Sequence, residues 1–140
     1  MTMALDMYLE MNGDLKDWES TKEILYEAGM VSLPEHRPDA VWYTLGNGEV
    51  FCEAQWRRSS RRTNEIIAEG DHRCSFLVNA EISFRINNST YDEAVSIIKT
   101  VLTHLTERTG MLFVLSFQYE DVRAIRDRER GFEWFWNDPR

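Results

Sequence analysis

The sequence predicts an α+β domain, a two-layer sandwich in which two main helices lie on one face of a mixed, mostly antiparallel sheet. Two stretches each carry one apolar helical stripe, and the other regular stretches alternate polar with apolar residues. With 140 residues and no repeat or long linker, the chain has the size of one domain with a real core. We therefore expect a single domain over residues 1–140.

The first forty residues predict a strand, a helix and a connection. Apolar side chains recur at every second position from Leu5 to Met11, which is typical of a half-buried strand. Asp14 is placed to cap the next helix and Gly29 to end it. The apolar stripe of that helix is Leu15, Trp18, Leu25 and Ala28. Two prolines between residues 31 and 39 predict an irregular connection.

A hairpin is predicted next. Strand-like runs from Ala40 to Leu45 and from Glu49 to Trp56 flank a Gly-Asn-Gly turn that tolerates positive φ. On the second strand, Cys52 shares its face with apolar residues, whereas Phe51 lies between two glutamates on the other face. We therefore expect Cys52 in the core and Phe51 at the surface.

A short helix and a long strand are predicted after the hairpin. The short helix spans Asn64 to Glu69. From Phe76 to Ile86 apolar and polar residues alternate over eleven positions. This length indicates a central place in the sheet.

The last third predicts a second helix and three strands. Thr90 and Glu93 have the spacing of a capping box, and Gly110 closes the helix. Its apolar stripe is Tyr91, Ala94, Val95, Ile98, Val101, Leu102 and Leu105. The strands are predicted at Met111–Tyr119, Val122–Arg126 and Phe132–Trp136. Trp134 and Trp136 share one face of the last strand, where they either pack in the core or anchor a partner.

Charge is distributed unevenly along the chain. Met1 to Trp56 holds three basic and eleven acidic residues, 3 − 11 = −8, whereas Arg57 to Arg140 holds 13 of each. A half of one sign attracts basic surfaces and speeds association. The candidate partner-binding residues are Glu19, Glu23 and Glu27 on the first helix and Glu49, Phe51 and Glu53 on the hairpin. A solvated helix face is the alternative interpretation of the three helical glutamates.

The segment from Arg57 to Arg73 contains the concentrated basic run of the chain. Its arginines are Arg57, Arg58, Arg61, Arg62 and Arg73. Arginines neutralise phosphates and the adjacent Trp56 offers a stacking platform, so a nucleic-acid-binding or regulatory module is the alternative function. Five arginines in a chain of net charge −8 do not make a basic domain. We expect this loop to pair with the acidic half, and we expect no nucleic-acid partner.

Catalytic and metal-binding patterns are weak in this sequence. Cys52 with His36 or His72 lacks the local signature of a nucleophile and its base. His72 and Cys74 with Cys52 lack the paired spacing of zinc ligands. His104 lies on the flank of the second helix. We therefore expect no catalytic residue, no metal and no cofactor.

The compartment is predicted from the same residues. Two cysteines cannot form a secreted multi-disulfide scaffold. Acidic residues interrupt the start of the chain, and the longest apolar run, Met111 to Leu115, is too short to span a bilayer. We expect a cytoplasmic protein without a membrane partner.

Two stretches carry a family resemblance. They are Met3-Ala-Leu-Asp-Met-Tyr-Leu-Glu10 and the run from Phe84-Arg-Ile86, through the capped helix and the Met111 strand, to the closing hairpin at Trp136. Together they resemble the Sit-type immunity proteins of bacterial toxin exchange. The resemblance implies a small cytoplasmic, non-enzymatic protein that neutralises a cognate toxin delivered by a neighbouring cell. A nuclease toxin would present a basic groove to the acidic half.

Overall fold

The computed structural model describes residues 4–32, 40–45, 50–56, 64–66, 68, 76–129 and 131–135. Within these ranges the chain forms two α-helices and ten strands. The elements are β1 (Ala4–Asn12), α1 (Leu15–Glu27), β2 (Met30–Ser32), β3 (Ala40–Leu45), β4 (Val50–Trp56), β5 (Asn64–Glu65), β6 (Leu77–Val78), β7 (Ala80–Asn87), α2 (Tyr91–Arg108), β8 (Leu112–Phe117), β9 (Asp121–Asp127) and β10 (Gly131–Trp134).

Eight of the described strands form one sheet, in the order β10-β9-β8-β1-β7-β4-β3-β2. Every neighbouring pair in this order is antiparallel. The short strands β5 and β6 pair with each other in a separate antiparallel ribbon. The predicted fold class is therefore confirmed. β7 lies between β1 and β4, which confirms that this long strand is central.

The core lies between the two helices and one face of the sheet, called the inner face below. Met7, Leu9 and Met11 of β1 are fully buried, as the alternation predicts. They pack in one cluster with Cys52 of β4 and with the buried stripe of α2. Both helices contribute to this cluster, so the sandwich has two layers.

Helix α1 begins with reciprocal hydrogen bonds between two aspartates. The Asp17 amide donates to Asp14 Oδ1 at 2.7 Å, and the Asp14 amide donates to Asp17 Oδ2 at 3.1 Å. Gly29 follows the helix with φ of 97°, a left-handed conformation that glycine adopts without strain. The predicted stripe is wrong at Leu15, which is 42% exposed. Its place in the first turn puts it at the rim of an open cavity rather than over the sheet.

Helix α2 begins differently from the prediction. A turn of 3₁₀-helix, Asn88–Thr90, precedes it, and Asn87 Oδ1 accepts a hydrogen bond from the Ser89 amide at 3.0 Å. The side chain of Thr90 makes no capping hydrogen bond to the helix, so the predicted capping box with Glu93 is wrong. Asn87 caps the extra turn instead, because its short amide side chain reaches the amide two residues later. The helix ends at Arg108, two residues before Gly110.

Three local predictions are corrected by pairing between distant segments. Residues predicted to begin an irregular connection form β2 against β3. The predicted helix from Asn64 to Glu69 begins instead as β5, which pairs with β6. The predicted long strand is interrupted at Asn79, whose side chain exchanges hydrogen bonds with the backbone of Gly13, at 2.8 Å and 3.2 Å. In each case contacts between distant segments override the local conformational preference of the sequence.

Candidate partner-binding surface

The sheet face opposite the helices, called the outer face below, arranges side chains in three rows that cross the strands. The strand register defines each row. The first row is Val31, Thr44, Phe51, Arg85 and Asp6. The second row is Glu53, Ser83, Tyr8, Ser116 and Val122. The third row is Gln55, Glu81, Glu10, Val114 and Ile125.

The first row exposes apolar surface at the β2 side of the sheet. Phe51 is 40% exposed and Val31 is 60% exposed. Arg85, opposite Phe51 in the register, turns to Asp6, whose Oδ1 accepts from Arg85 Nε at 3.1 Å. This ion pair engages the guanidinium that lies nearest to Phe51 in the row. Phe51 is thus a surface aromatic, as its two flanking glutamates predict.

Glu53 follows Phe51 on the same face of β4 and is half-buried. Its Oε2 accepts a hydrogen bond from the neutral Gln55 amide at 3.1 Å. In the part of the chain that the structure describes, Glu53 has no cationic partner. An ionised carboxylate has about four lone-pair sites, so Glu53 keeps acceptor capacity for a donor from outside.

The third row buries two carboxylates. Glu10 is 1% and Glu81 is 8% exposed, and the two lie directly opposite each other on β1 and β7. Glu10 Oε1 accepts from the Ala68 amide at 2.9 Å, and Glu81 Oε2 accepts from the Tyr119 hydroxyl at 3.0 Å. Both residues also take part in further interactions. Strand alternation places both residues on the polar face and gives no signal that they are buried.

A stacked tyrosine pair holds the donor to Glu81 in place. The rings of Tyr8 and Tyr119 are nearly parallel, with centroids 3.9 Å apart and an interplanar angle of 4°. Burial, followed by the charge and hydrogen bond of Glu81, raises the pKa of Tyr119 well above its usual range. Tyr119 therefore remains a protonated donor at neutral pH.

The β8 and β9 side of the outer face is covered by the chain itself. Val114, Val122 and Ile125 form a second buried cluster. The residues packed on that cluster are Ile66, Ala68, Phe76 and Phe135. The outer face therefore has a covered side at β8 and β9 and exposed side chains, Phe51 and Arg85, at β4 and β7.

The three candidate glutamates of α1, called the α1 ridge below, are exposed but ion-paired. Lys22 Nζ lies 3.0 Å from Glu19 Oε2. Arg108 of α2 places Nη1 at 2.8 Å from Glu27 Oε1 and Nη2 at 3.8 Å from Glu23 Oε2. The hydrogen bond from Arg108 lowers the pKa of Glu27 below its ordinary value. Each glutamate of the ridge thus faces a cation of the same chain.

The structure divides the candidate residues between two surfaces. Phe51 and Glu53 lie on the outer face, whereas the α1 ridge lies on the helical layer. Glu49 lies outside the described residues. The pairing of Arg108 with two ridge glutamates links positions 81 and 85 residues apart, which no local sequence pattern reveals.

Cys52 is fully buried, as predicted, and its Sγ lies 3.7 Å from Met30 Sδ. Burial raises the pKa of this thiol to about 12. A thiol with such a pKa is protonated near neutral pH, and the thiolate is the nucleophilic form. His104 is half-buried on α2, and Cys74, His36 and His72 lie outside the described residues, as do the five arginines from Arg57 to Arg73.

Trp134 packs on the main core as a half-buried residue, and the ammonium of Lys99 lies 5.3 Å from its ring centroid. For this tryptophan the structure favours core packing over an anchor for a partner, whereas Trp136 lies outside the described residues. The described residues contain no group of three His, Cys, Asp or Glu side chains placed to hold a metal ion. Neither described helix is long and apolar enough to cross a membrane.

Comparisons of the chain with the models of known protein families, with curated proteins and with solved structures gave no match.

Proposed function

We propose that the protein is a non-enzymatic immunity protein that binds a cognate bacterial toxin and covers the toxin's basic active-site surface. The observation that supports it most is the exposed Phe51 beside Glu53, a carboxylate without a cationic partner among the described residues. The resemblance of two stretches to the Sit-type immunity proteins supports the same function.

Charge supports a basic partner. The half of the sequence with net charge −8 includes β1, α1 and β2 to β4, and Phe51 lies on β4. In the sheet, β7 separates β1 from β4, and the described acidic residues of this half lie mainly on β1 and α1. A basic protein is steered towards an acidic half by long-range attraction, whereas nucleic acid is repelled. A toxin that cleaves nucleic acid is a partner with the required basic groove.

Phe51 supports a stable complex rather than a brief encounter. Interfaces take most of their binding energy from a few side chains, and aromatic residues are enriched among their anchors. Phe51 stands on an internal strand of the sheet, so its backbone is held on both sides by β3 and β7. An anchor on a rigid element loses little conformational entropy when it binds.

The α1 ridge is the less suitable interface, because its carboxylates already have partners. A toxin lysine or arginine that bound Glu23 or Glu27 would compete with Arg108. Exchange of one exposed ion pair for another contributes little net affinity. The ridge therefore contributes to steering, and the outer face provides the contact.

The test is co-expression with the product of the gene directly upstream, which the proposal expects to encode the toxin. We expect the two proteins to co-purify, and we expect the immunity protein to restore growth of the toxin-expressing cells. The purified protein should bind neither DNA nor RNA at physiological salt. Failure to bind the toxin, or a salt-sensitive mobility shift with nucleic acid that is lost when Arg57, Arg58, Arg61 and Arg62 are replaced by serine, would overturn the proposal.

A further inference from the structure

Phe51 and Glu53 form a pair of complementary groups on one strand. Both side chains leave the same face of β4, about 6.6 Å apart along the strand. Their cross-strand neighbours in the register are Thr44 and Arg85 opposite Phe51, and Trp42 and Ser83 opposite Glu53. The pair therefore offers an aromatic ring and a carboxylate within the span of one long side chain of a partner.

The carboxylate of this pair differs from those of Asp6 and of the α1 ridge. Asp6, on the same face, is paired with Arg85, and the α1 ridge, on the helical layer, is paired with Lys22 and Arg108. Glu53 receives only the Gln55 amide among the described residues. Among the described residues the nearest guanidinium of the first row is held by Asp6, so Glu53 keeps acceptor capacity for a cation of a partner.

An arginine satisfies both groups better than a lysine. The guanidinium is planar, so it stacks on an aromatic ring and donates two parallel hydrogen bonds to a carboxylate. A lysine ammonium is a compact, strongly hydrated charge that pairs with the carboxylate and gains less from the ring. The exposed ring of Phe51 thus discriminates between the two cations.

We infer that Phe51 and Glu53 are the receptor for one arginine side chain of the partner, with the guanidinium stacked on Phe51 and hydrogen-bonded to Glu53. The inference rests on the proposed function for the identity of the partner as a basic protein, but the receptor itself is defined by these two residues. The inference assigns to the partner one arginine in a protein segment. A phosphate-bearing ligand does not fit this place, because the carboxylate of Glu53 would repel it.

The experiment uses short blocked peptides of arginine, lysine or citrulline as probes, with binding followed by backbone-amide NMR of the full chain at low salt. Citrulline keeps the shape of arginine and removes its charge. We expect arginine peptide to perturb the amides of β4 around Phe51 and Glu53, and to bind about two- to fivefold more tightly than lysine peptide. Citrulline peptide should not bind.

Variants separate the two contributions. Phe51→Leu should reduce the preference for arginine over lysine peptide, because the aromatic face is lost and the apolar bulk is kept. Glu53→Gln should weaken both peptides, and arginine peptide more, because arginine loses two parallel hydrogen bonds to the carboxylate. The matched control is Glu23→Gln on α1, which removes the same charge from an exposed position and should leave the β4 perturbations unchanged.

Three results would overturn the inference: equal binding of arginine and lysine peptide to the unchanged protein, perturbations confined to α1, or an equal effect of Glu23→Gln and Glu53→Gln. These outcomes are distinct from failure of the proposed function. If the toxin binds but arginine is not preferred, the receptor is wrong and the function stands. If arginine peptide binds as expected but the toxin does not, the function is wrong and the receptor stands.

Discussion

Replacement of Cys52 by alanine should change the pH dependence of stability in a calculable way. Burial raises the pKa of the folded thiol from 9.0 to about 12, and the unfolded thiol titrates near the lower value. Above about pH 9 the unfolded chain therefore holds fewer protons than the folded chain, and the free energy of unfolding falls as the pH rises. One pH unit corresponds to about 1.4 kcal/mol for one group.

Two effects of the substitution then oppose each other. Near neutral pH, loss of the buried sulfur leaves a small cavity and costs about 1 kcal/mol. Between about pH 8 and pH 10 the unchanged protein loses about 1.4 kcal/mol through Cys52, and the alanine variant does not. The stability difference between the two proteins should shrink across this range and vanish near about pH 10.

Urea unfolding at a series of pH values measures this difference. Both proteins should carry Cys74→Ser, so that Cys52 is the remaining thiol. Parallel stability curves across the range would refute the reasoning, because they would mean that the Cys52 thiol titrates alike in the folded and unfolded chain. Such a thiol would be accessible to solvent, and Cys52 would again be a candidate nucleophile.

Three further substitutions test how the elements are held. Arg126→Met should lower the free energy of unfolding, measured in urea, by about 2 kcal/mol. Arg126 Nη1 donates hydrogen bonds to the carbonyls of Leu105, Thr109 and Met111 at 3.2, 2.8 and 3.0 Å. An unchanged free energy of unfolding would contradict this role. The exposed Arg128→Met is its control and should change stability by less than about 0.5 kcal/mol. Gly13→Ala should lower the melting temperature, since an added Cβ would collide with the sulfur of Met111, and an unchanged melting temperature would show that the loop relaxes. Asp14→Ala should lower the free energy of unfolding by about 1 kcal/mol, because it removes the cap of α1. A change no larger than the experimental error would show that Asp17 alone is enough to stabilise the start of the helix.

Period-two alternation predicts the inner face of the sheet well. Met7, Leu9 and Cys52 lie in the core at the positions where the pattern places them. The same pattern places Glu10 among exposed residues, yet it is buried. Alternation tells which residues share a face, whereas the covering of that face depends on a distant segment, here the connection that includes Ala68.

Element boundaries fail where two local signals compete. Thr90 and Glu93 have the capping-box spacing, but Asn87, three residues before Thr90, caps the 3₁₀ turn that precedes α2. The sequence pattern also fails to predict short strands such as β2, because three residues are too few to show a period. β2 forms through its pairing with β3.

The candidate surface is predicted in part. Two flanking glutamates indicate that Phe51 is exposed, and the structure confirms it. The pairing of the α1 ridge with Arg108 depends on how the two helices pack, so the sequence overstates the free charge of that ridge. Only the three-dimensional arrangement distinguishes a neutralised acidic surface from an unpaired one.

The most direct measurement of the central claim compares the toxin affinity of two matched double variants. Phe51→Ala with Glu53→Lys alters the outer face, and Tyr26→Ala with Glu23→Lys removes an aromatic ring and reverses a charge on α1, where Tyr26 is 75% exposed. The account predicts at least a tenfold, about 1.4 kcal/mol, loss of affinity for the outer-face variant. It predicts a smaller loss, confined to the salt-dependent association rate, for the α1 variant. A larger loss for the α1 variant, or equal losses for both, would contradict the placement of the toxin-binding surface on the outer face.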